Sequence, residues 1–374
     1  MNNFRKLIVF VLVLFVAPLV YGQGCFGKKK TLKVMEKTNA YFMQKWPDPS
    51  VKVVTNKERE SNLWTRGVYY EGLMSLNNIN PQAAYIQYAE DWAKGNKWSL
   101  RFGKNSRHAD PMCAGQTYID LYQLSPSPEK IADIKFAVDQ MVNSDKSDDW
   151  TWIDALQMAM PVFAKFAVME NDPKYSERMY ELYRHSRDIE GGGLYNTKEH
   201  LWWRDKDFVP PYRTPNGQNC YWSRGNGWVI LALARVMEIL PKTDPHYQEY
   251  QETFVDMINA LLPLQREDGF WNVSLTDPSD FGGPELSGTA LFAYGMAWGI
   301  NNGVLEKKKY KKAAVKAWRA MTQTCIHENG QLAFVQSTGK EPKDGQPLAY
   351  DKFPDFEDYG LGCFLLAGSE MYKL

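Results

Sequence analysis

Six stretches of the chain are apolar on almost every side when they are projected as helices. Each opens with polar or aromatic residues and continues with Gly, Ala and large apolar side chains. A helix that is apolar all round is buried, and small residues let such helices pack closely. We therefore predict six buried inner helices. They open near Trp64, His108, Trp150, Tyr221, Glu285 and Asp358.

Six amphipathic segments alternate with these buried stretches, and each has one charged face that is typical of an outer helix. They cover 30–45, 81–94, 128–143, 173–188, 245–265 and 306–325. The alternation predicts an all-α fold, an (α/α)6 barrel with six inner and six outer helices. The stretches recur weakly at about 40 to 70 residues, which agrees with repeated helix pairs. An open α-solenoid is the alternative, but a closed barrel lets the polar helix openings meet at one pocket.

Two long segments have no helical period and are rich in Gly, Pro, Asp and Trp. They cover 193–219 and 266–284. Functional residues concentrate in such loops when a rigid scaffold positions them. We predict that both form loops or short hairpins over the mouth of the barrel.

The N-terminal residues have the pattern of a targeting signal. Arg5 and Lys6 precede an apolar run over 7–20 that is too short to span a bilayer comfortably but fits a secretory signal. Small residues before Gln23 suit cleavage. We expect a signal peptide over 1–22, one barrel domain over 23–374 and export, in a bacterium to the periplasm. Lipidation at Cys25 is a less favoured alternative, and no other stretch is long and apolar enough to cross a membrane.

Composition narrows the function classes. Lys+Arg and Asp+Glu both number 44, so the formal net charge is zero, which gives no support to nucleic acid as a partner. The chain contains 13 Trp and 21 Tyr residues. Such a high aromatic content is common in carbohydrate-active proteins, although a large aromatic core would also explain it. Only five His residues occur and the five Cys residues are far apart, which argues against a metal site or a disulfide scaffold.

One carboxylate stands in an otherwise aromatic and apolar helix start. Asp154 follows Trp150 and Trp152 and precedes a run of apolar residues. An unpaired buried carboxylate is costly, so a chain that keeps one usually needs it. Burial beside indole rings raises the pKa of an acid, which suits a proton donor near neutral pH. The alternative is a structural acid that pairs with a buried Arg.

The other helix openings add groups that suit an acidic sugar. Arg224 can grip a carboxylate with its planar fork, indole rings stack on sugar rings, and a second carboxylate, Asp110, accompanies Asp154. The further candidates at these openings are His108, Trp152, Trp222 and Trp228. Each of these residues could instead have a purely structural role: an N-cap for Asp110, an ion pair for Arg224 and core packing for the aromatic residues.

Six short motifs in order resemble those of the unsaturated glucuronyl and rhamnogalacturonyl hydrolases, glycoside hydrolase family 105 with family 88 as its neighbour. The resemblance extends from Trp64 to the C-terminus and implies an (α/α)6 barrel. The motifs are Trp64-Thr65-Arg66-Gly67-Val68, His108-Ala109-Asp110, Trp152-Ile153-Asp154, Trp222-Ser223-Arg224-Gly225-Asn226-Gly227-Trp228, Ser287-Gly288-Thr289-Ala290 and Asp358-Tyr359-Gly360.

The resemblance implies that the enzyme hydrates the C4=C5 double bond of a terminal unsaturated uronic acid on oligosaccharides made by a polysaccharide lyase. Asp154 would protonate C4 and then deprotonate the water that adds at C5, and Asp110 would position water or bind hydroxyls. Trp152, Trp222, Arg224, Trp228 and His108 would bind the substrate, with no metal or organic cofactor.

Two departures from the family pattern stand out. The family often has an active-site His in the loop before the Trp-x-Arg motif, and His200 does not align with it clearly. Pro111 follows Asp110 where a second Asp is common. A conventional inverting glycosidase on the same barrel and a non-catalytic sugar-binding protein remain alternatives, and the parent polysaccharide is open among pectin, glycosaminoglycan, ulvan and arabinogalactan.

Overall fold

The computed structural model describes residues 27–54, 58–354 and 358–374. The predicted signal peptide and Cys25 lie outside these residues. The described part of the chain contains twelve α-helices: α1 Lys28–Lys45, α2 Trp64–Ile79, α3 Ala83–Gly95, α4 Met112–Leu124, α5 Ala132–Val142, α6 Asp154–Met169, α7 Lys174–Arg184, α8 Ser223–Ile239, α9 Tyr247–Leu261, α10 Leu286–Asn301, α11 Lys307–Thr324 and α12 Asp358–Lys373.

Short elements join the helices. The strands form two antiparallel pairs, β1 Val53–Val54 with β2 Glu58–Arg59, and β3 Tyr195–Asn196 with β4 Leu201–Trp202. Single turns of 3₁₀ helix occupy Pro128–Lys130, Glu190–Gly192 and Leu262–Leu264, and a π turn extends α7 over His185–Ile189.

The even-numbered helices form a closed inner ring. Each packs against the next, from α2 through α4, α6, α8 and α10 to α12, and α12 packs against α2. This closure distinguishes a barrel from an open solenoid, whose end helices do not meet. The predicted (α/α)6 barrel is confirmed, and each predicted inner and outer segment overlaps a helix, to within two residues at the ends of α1 and α3.

The seam between α2 and α12 shows why small residues occur in the inner ring. A Cβ on Gly362 would lie 2.2 Å from the backbone oxygen of Val68, and one on Gly72 would lie 2.6 Å from the oxygen of Gly362. Both distances are far inside van der Waals contact, so only glycine lets the two helix backbones approach this closely. The ring closes at a point that tolerates no side chain.

Burial follows the alternation of the sequence. Helix α10 is buried on every face except at its last turns, whereas α7 and α11 each bury one face. One apolar cluster takes residues from all twelve helices, from Met35 on α1 to Met371 on α12. Among the described residues, no helix combines the length and apolar character needed to cross a bilayer.

Two irregular segments lie against the N-terminal ends of the inner helices. Asp205, after the β3–β4 hairpin, forms an antiparallel bridge with Trp152 before α6, and Ser274 forms one with Trp222 before α8. The prediction of loops and a short hairpin over 193–219 and 266–284 is confirmed. The same backbone bridges hold these loops beside the residues that open α6 and α8.

Candidate active site

Asp154 is the first residue of α6, and a loop segment far along the chain holds it in place. The backbone N–H of Ile153 donates to the backbone oxygen of Arg204 (3.0 Å), and the Nε of Arg204 donates to Oδ2 of Asp154 (3.3 Å). Only 9% of Asp154 is exposed. The pairing of Asp154 with an Arg, which the sequence analysis gave as an alternative, is thus observed, with Arg204 as the partner.

Arg204 is the main site residue that the sequence interpretation missed. Its Nη1 donates to Oδ2 of Asp205 (2.6 Å), while its Nη2 hydrogen-bonds to no described residue. A signal was present in the sequence, because Arg204 follows Trp202 and Trp203 in a loop predicted to cover the mouth. The partner, fifty residues away, was not readable from the sequence.

Asp110 lies just before α4 and does not cap it. The N-cap position of α4 is Pro111, and no side chain accepts a hydrogen bond there, so the capping alternative is not realised. The Asp110 side chain is 31% exposed, and its Oδ2 is 3.9 Å from Nδ1 of His108. The backbone N–H of Asp110 donates to the same His108 nitrogen (3.2 Å). Within the described residues, no hydrogen bond to the Asp110 carboxyl group is formed, and its nearest basic group is His108.

The two carboxyl groups influence each other electrostatically. Burial, followed by the negative charge of Asp154, raises the pKa of Asp110 to about 7, against the opposing charges of Arg204 and Arg101. Burial also raises the pKa of Asp154, although Arg204 and Arg224 act in the opposite direction. Two coupled carboxyl groups release their protons as a pair. With a pKa of about 7, the Asp110 carboxyl group is still partly protonated near neutral pH.

A row of aromatic rings leads outward from the acid. Trp152 is half-buried two residues before Asp154, and its ring centroid is 4.9 Å from that of His108. The His108 ring in turn lies 5.6 Å from Phe102, which is 53% exposed. The Phe102 and His108 rings meet edge to face and the His108 and Trp152 rings are tilted by 45°, so together they form an apolar aromatic rim rather than one flat stacking surface. The structure places His108 and Trp152 together, as predicted, and adds Phe102.

Arg224 lies deeper than the sequence interpretation assumed. It is fully buried, and its fork donates to Oε1 of Gln336 (3.2 Å), the hydroxyl of Tyr359 (2.7 Å) and the backbone oxygen of Ser337 (3.1 Å). Its guanidinium also lies 4.2 Å from the Trp222 ring. Its charge still reaches Asp154. A direct role in holding the uronate stays a prediction.

Trp222 and Trp228 are both buried. The Nε1 of Trp222 donates to Oε1 of Gln336 (2.9 Å), while Trp228 meets Trp64 edge to face with 6.2 Å between ring centroids. The Nε1 of Trp228 is buried and has no hydrogen-bond partner among the described residues. Their predicted contact with substrate stays a prediction.

His200 stands apart from the two aspartates. It lies in the turn between β3 and β4, where its Nδ1 contacts the hydroxyl of Tyr195 (3.1 Å) and approaches Oδ2 of Asp256 on the outer helix α9 (3.7 Å). These contacts hold His200 against the outer helix α9.

Other charged residues at the helix openings are structural. Arg66 on α2 pairs with Asp358 on α12 (3.0 Å) in a bridge that is almost fully buried. Glu285 caps α10 by accepting from the backbone N–H groups of Ser287 and Gly288 (both 2.7 Å). The Arg66–Asp358 pair joins α2 to α12, and the Glu285 cap stays within α10.

Two cavities have different surroundings. One of about 500 Å³ borders Trp152, Arg204 and Lys340 at the mouth. A second, of about 400 Å³, lies at the opposite ends of the inner helices, where Glu71 pairs with Arg235 and Lys165 pairs with Asp120. Neither Asp110 nor Asp154 lines either cavity, but Arg204, which contacts Asp154, borders the one at the mouth. Among the described residues, no group of three or more His, Cys, Asp or Glu side chains is arranged to hold a metal ion.

Comparisons with known proteins agree with this geometry. Residues 34–374 match the model of Glycosyl Hydrolase Family 88. An "Unsaturated 3S-rhamnoglycuronyl hydrolase" from Formosa agariphila is 34% identical over 331 residues, 83% of this chain and 84% of the relative. One from Alteromonas sp. is 30% identical over 84% of this chain and 78% of its own. A solved family 88 structure from Bacteroides vulgatus superposes with a TM-score of 0.84 at 31% identity, covering 93% of this chain and all of the other.

Proposed function

The chain belongs to glycosyl hydrolase family 88, and we propose that it adds water to the C4=C5 double bond of a terminal unsaturated uronic acid on a lyase-generated oligosaccharide. The observation that carries this proposal is the pair of electrostatically coupled carboxyl groups, the partly exposed Asp110 and the buried Asp154, beside a row of rings at the barrel mouth. The family named as the neighbour in the sequence resemblance is thus the one to which the chain belongs, and the protein is a glycoside hydrolase.

The proposed chemistry begins with proton transfer to carbon. Asp154 gives its proton to C4, the π electrons form the new C–H bond, and positive charge develops at C5 and the ring oxygen. Water adds at C5 and its proton returns to Asp154, so the carboxyl group is regenerated. The hemiketal at C5 then opens and the neighbouring sugar leaves. Protonation of carbon is slow, which is why a strongly oriented acid with a raised pKa is needed.

Arg204 has the right position to bind the uronate carboxylate. Its Nη2 hydrogen-bonds to no described residue, and its Nε already touches Asp154. When the substrate carboxylate binds this guanidinium, Arg204 is paired with two anions. It then stabilises the ionised form of Asp154 less strongly. That change raises the pKa of Asp154 and favours the protonated form that the reaction requires.

Arg224 supports the site from behind in this proposal. Its donors are occupied by Gln336, Tyr359 and Ser337, and its guanidinium stacks on Trp222. It therefore fixes the indole wall and contributes a buried positive charge that the anionic substrate meets.

The sugar next to the uronate is proposed to be rhamnose. Two curated relatives, 34% and 30% identical to this chain, both carry "rhamnoglycuronyl" in their names. The test compares unsaturated uronyl–rhamnose with unsaturated uronyl–N-acetylhexosamine disaccharides. A higher kcat/KM for the rhamnose compound supports the assignment, and the reverse order contradicts it.

The reaction itself is tested through the ultraviolet absorbance of the C4=C5 bond. Wild-type protein should abolish it, and Asp154→Asn should lower the rate by at least about 10²-fold, the usual share of a general acid. Asp207→Asn is the matched control, because Asp207 borders the mouth cavity beside Arg204, is 62% exposed and pairs with Lys340. Unchanged absorbance together with cleavage of saturated glycosides would identify a conventional inverting glycosidase instead.

We also propose that the protein is exported, on the basis of Arg5, Lys6 and the apolar run over 7–20. Mass spectrometry of the protein recovered from the periplasm of an expressing bacterium should find an N-terminus at Gln23. A lipid-modified Cys25 would point to membrane anchoring, and an intact Met1 would contradict export.

A further inference from the structure

Lysine residues are concentrated on two outer helices that flank the same inner helix. Residues 27–35, at the start of α1, include four Lys and no acidic residue, and residues 307–327, which contain α11, include six Lys, one Arg and no acidic residue. Helices α1 and α11 both pack against α12. Because the whole chain has 44 basic and 44 acidic residues, the charge that balances this cluster lies elsewhere in the chain.

The lysines gather at the end of the barrel opposite the mouth. Helix α12 runs from the mouth to this end, where Nζ of Lys28 lies 5.3 Å from the centroid of the Tyr372 ring and Nζ of Lys311 donates to the backbone oxygen of Leu374 (3.3 Å). The starts of α1 and α11 therefore lie beside the last turn of α12. Six exposed lysines at these helix starts form what we call the basal surface: Lys28, Lys29, Lys30, Lys307, Lys308 and Lys312.

The basal surface has no counter-charge on the protein. Within the described ranges 27–54, 58–354 and 358–374, none of its six lysines forms an ion pair or a hydrogen bond through Nζ. The neighbouring Lys373, in contrast, pairs with Glu370 (2.6 Å). Glu306, just before α11, is the single acidic residue in 302–327. The six positive charges are therefore available to an anionic partner.

Helix stability does not explain these lysines. The N-terminus of a helix carries partial positive charge, so acidic side chains stabilise the first turn and lysines there are unfavourable. Both α1 and α11 begin with three consecutive lysines, and neither has an acidic residue in its first turn. A helix face that contacts only water usually mixes both signs of charge. A cluster of one sign therefore indicates a binding surface.

Apolar side chains are exposed at the same end of the barrel. Leu124, the last residue of α4, is 60% exposed, and Val168, near the end of α6, is 52% exposed. Both border the cavity that Lys373 also lines. This end of the barrel therefore combines positive charge with apolar side chains, the two properties that bind a protein to the face of an anionic bilayer.

We propose that the basal surface, together with Leu124 and Val168, binds the anionic headgroup layer of a phospholipid bilayer and turns the mouth toward the aqueous side. Lysines contribute to such binding one by one, because a charged bilayer requires no fixed geometry. Gly27, at the start of α1, follows Cys25 by two residues, so the segment predicted to direct export joins the barrel at this same end.

An acidic polysaccharide is the competing partner for the basal surface. Proteins hold sugar rings with exposed aromatic side chains, which present a flat apolar face. The aromatic residues of α11, Tyr310 and Trp318, are both buried, and 27–37 contains none. The exposed apolar residues at this end are aliphatic, which favours lipid over sugar.

The experiment measures the partition coefficient of the protein between water and vesicles by co-sedimentation, after removal of the signal peptide and with Cys25→Ser throughout to exclude a lipid anchor. Vesicles that contain phosphatidylglycerol should bind the protein, and vesicles of phosphatidylcholine alone should not. Binding should fall steeply between about 0.1 M and about 1 M salt, where the screening length shrinks to about 3 Å. Lys29→Gln, Lys30→Gln and Lys308→Gln combined should lower the partition coefficient by about 100-fold, because each lysine near such a surface contributes about fivefold.

Lys97→Gln, Lys104→Gln and Lys198→Gln combined are the matched control, because these exposed lysines lie in loops at the mouth end and the net charge changes equally. The control should bind as tightly as wild type. Leu124→Ser with Val168→Ser should lower the partition coefficient by about tenfold, since two apolar side chains lose their contact with lipid. The midpoint of thermal unfolding of the basal lysine variant should not fall, because removing positive charge from helix starts is favourable.

Three results would overturn the proposal. The first is no binding of wild type to phosphatidylglycerol vesicles, and the second is an equal loss in the basal and control variants, which would show that net charge alone drives binding. The third is unchanged vesicle binding in the basal variant together with lost binding to soluble polygalacturonate, which would assign the surface to an acidic polysaccharide. Vesicle binding is measured without substrate, so its outcome is independent of the proposed hydration reaction.

Discussion

Replacing Asp110 with asparagine should make the folded protein more stable at alkaline pH while it impairs catalysis. Burial and the charge of Asp154 raise the pKa of Asp110 from 3.8 to about 7. The folded protein therefore binds more protons than the unfolded chain between about pH 4 and pH 7, and the free energy of unfolding falls as the pH rises through that window. Asp110→Asn removes this loss, because the amide does not ionise.

The magnitude follows from the pKa difference of about 3 between the folded and unfolded protein. Each pKa unit corresponds to about 1.36 kcal/mol, which gives an upper value of about 4 kcal/mol. Solvent reaches the carboxyl group, since 31% of the Asp110 side chain is exposed. Allowing for this solvation, we expect Asp110→Asn to gain about 2 kcal/mol over wild type at pH 8 and about 0 at pH 4.

Denaturant unfolding at pH 4, 6 and 8 measures the difference directly, with ultraviolet assays run on the same samples. Asp207→Asn serves as the control, because that carboxylate is 62% exposed and the change should alter stability by less than about 0.5 kcal/mol at each pH. A stability difference for Asp110→Asn that does not grow between pH 4 and pH 8, or a variant less stable than wild type at pH 8, would refute the reasoning.

Three further predictions concern the same ring of helices. Asp154→Asn should lower the pKa of Asp110, because it removes a neighbouring negative charge; carboxyl-carbon NMR titration measures this, and an unchanged value would show that the two groups are not coupled. Arg66→Ala should cost about 3–5 kcal/mol in urea unfolding, since it leaves Asp358 buried without its cation; a cost below about 1 kcal/mol would contradict that role. Glu285→Ala should cost about 1 kcal/mol by removing the cap of α10, with the midpoint of thermal unfolding as the check.

Much of the fold could be predicted because helix periodicity is a local property. Whether a segment such as 286–301 is apolar on all faces depends on its own side chains, so its place in the inner ring is readable without a structure. The position of Asp154 at a helix start followed from the same local pattern. The resemblance of the motifs then indicated the chemistry.

The partners of the charged residues could not be predicted in the same way. The motif around Arg224 led us to predict that its guanidinium binds the substrate. In the structure it donates hydrogen bonds to Gln336, Ser337 and Tyr359, which lie more than a hundred residues away. Arg204 had no motif to distinguish it, although it is the residue that touches Asp154. A cation binds whichever acceptor the fold brings within a few ångströms, and sequence spacing does not report that distance.

By itself, then, the sequence determined the alternation of buried and amphipathic helices, the aromatic setting of Asp154 and the family motifs, because each depends on neighbouring residues along the chain. Only the tertiary structure decided that the ring closes between α2 and α12, that the charge of Asp154 acts on Asp110, and that Arg204 contacts Asp154. Those features arise from contacts between distant segments, where packing and competition among acceptors select one arrangement from many that the same sequence pattern would permit.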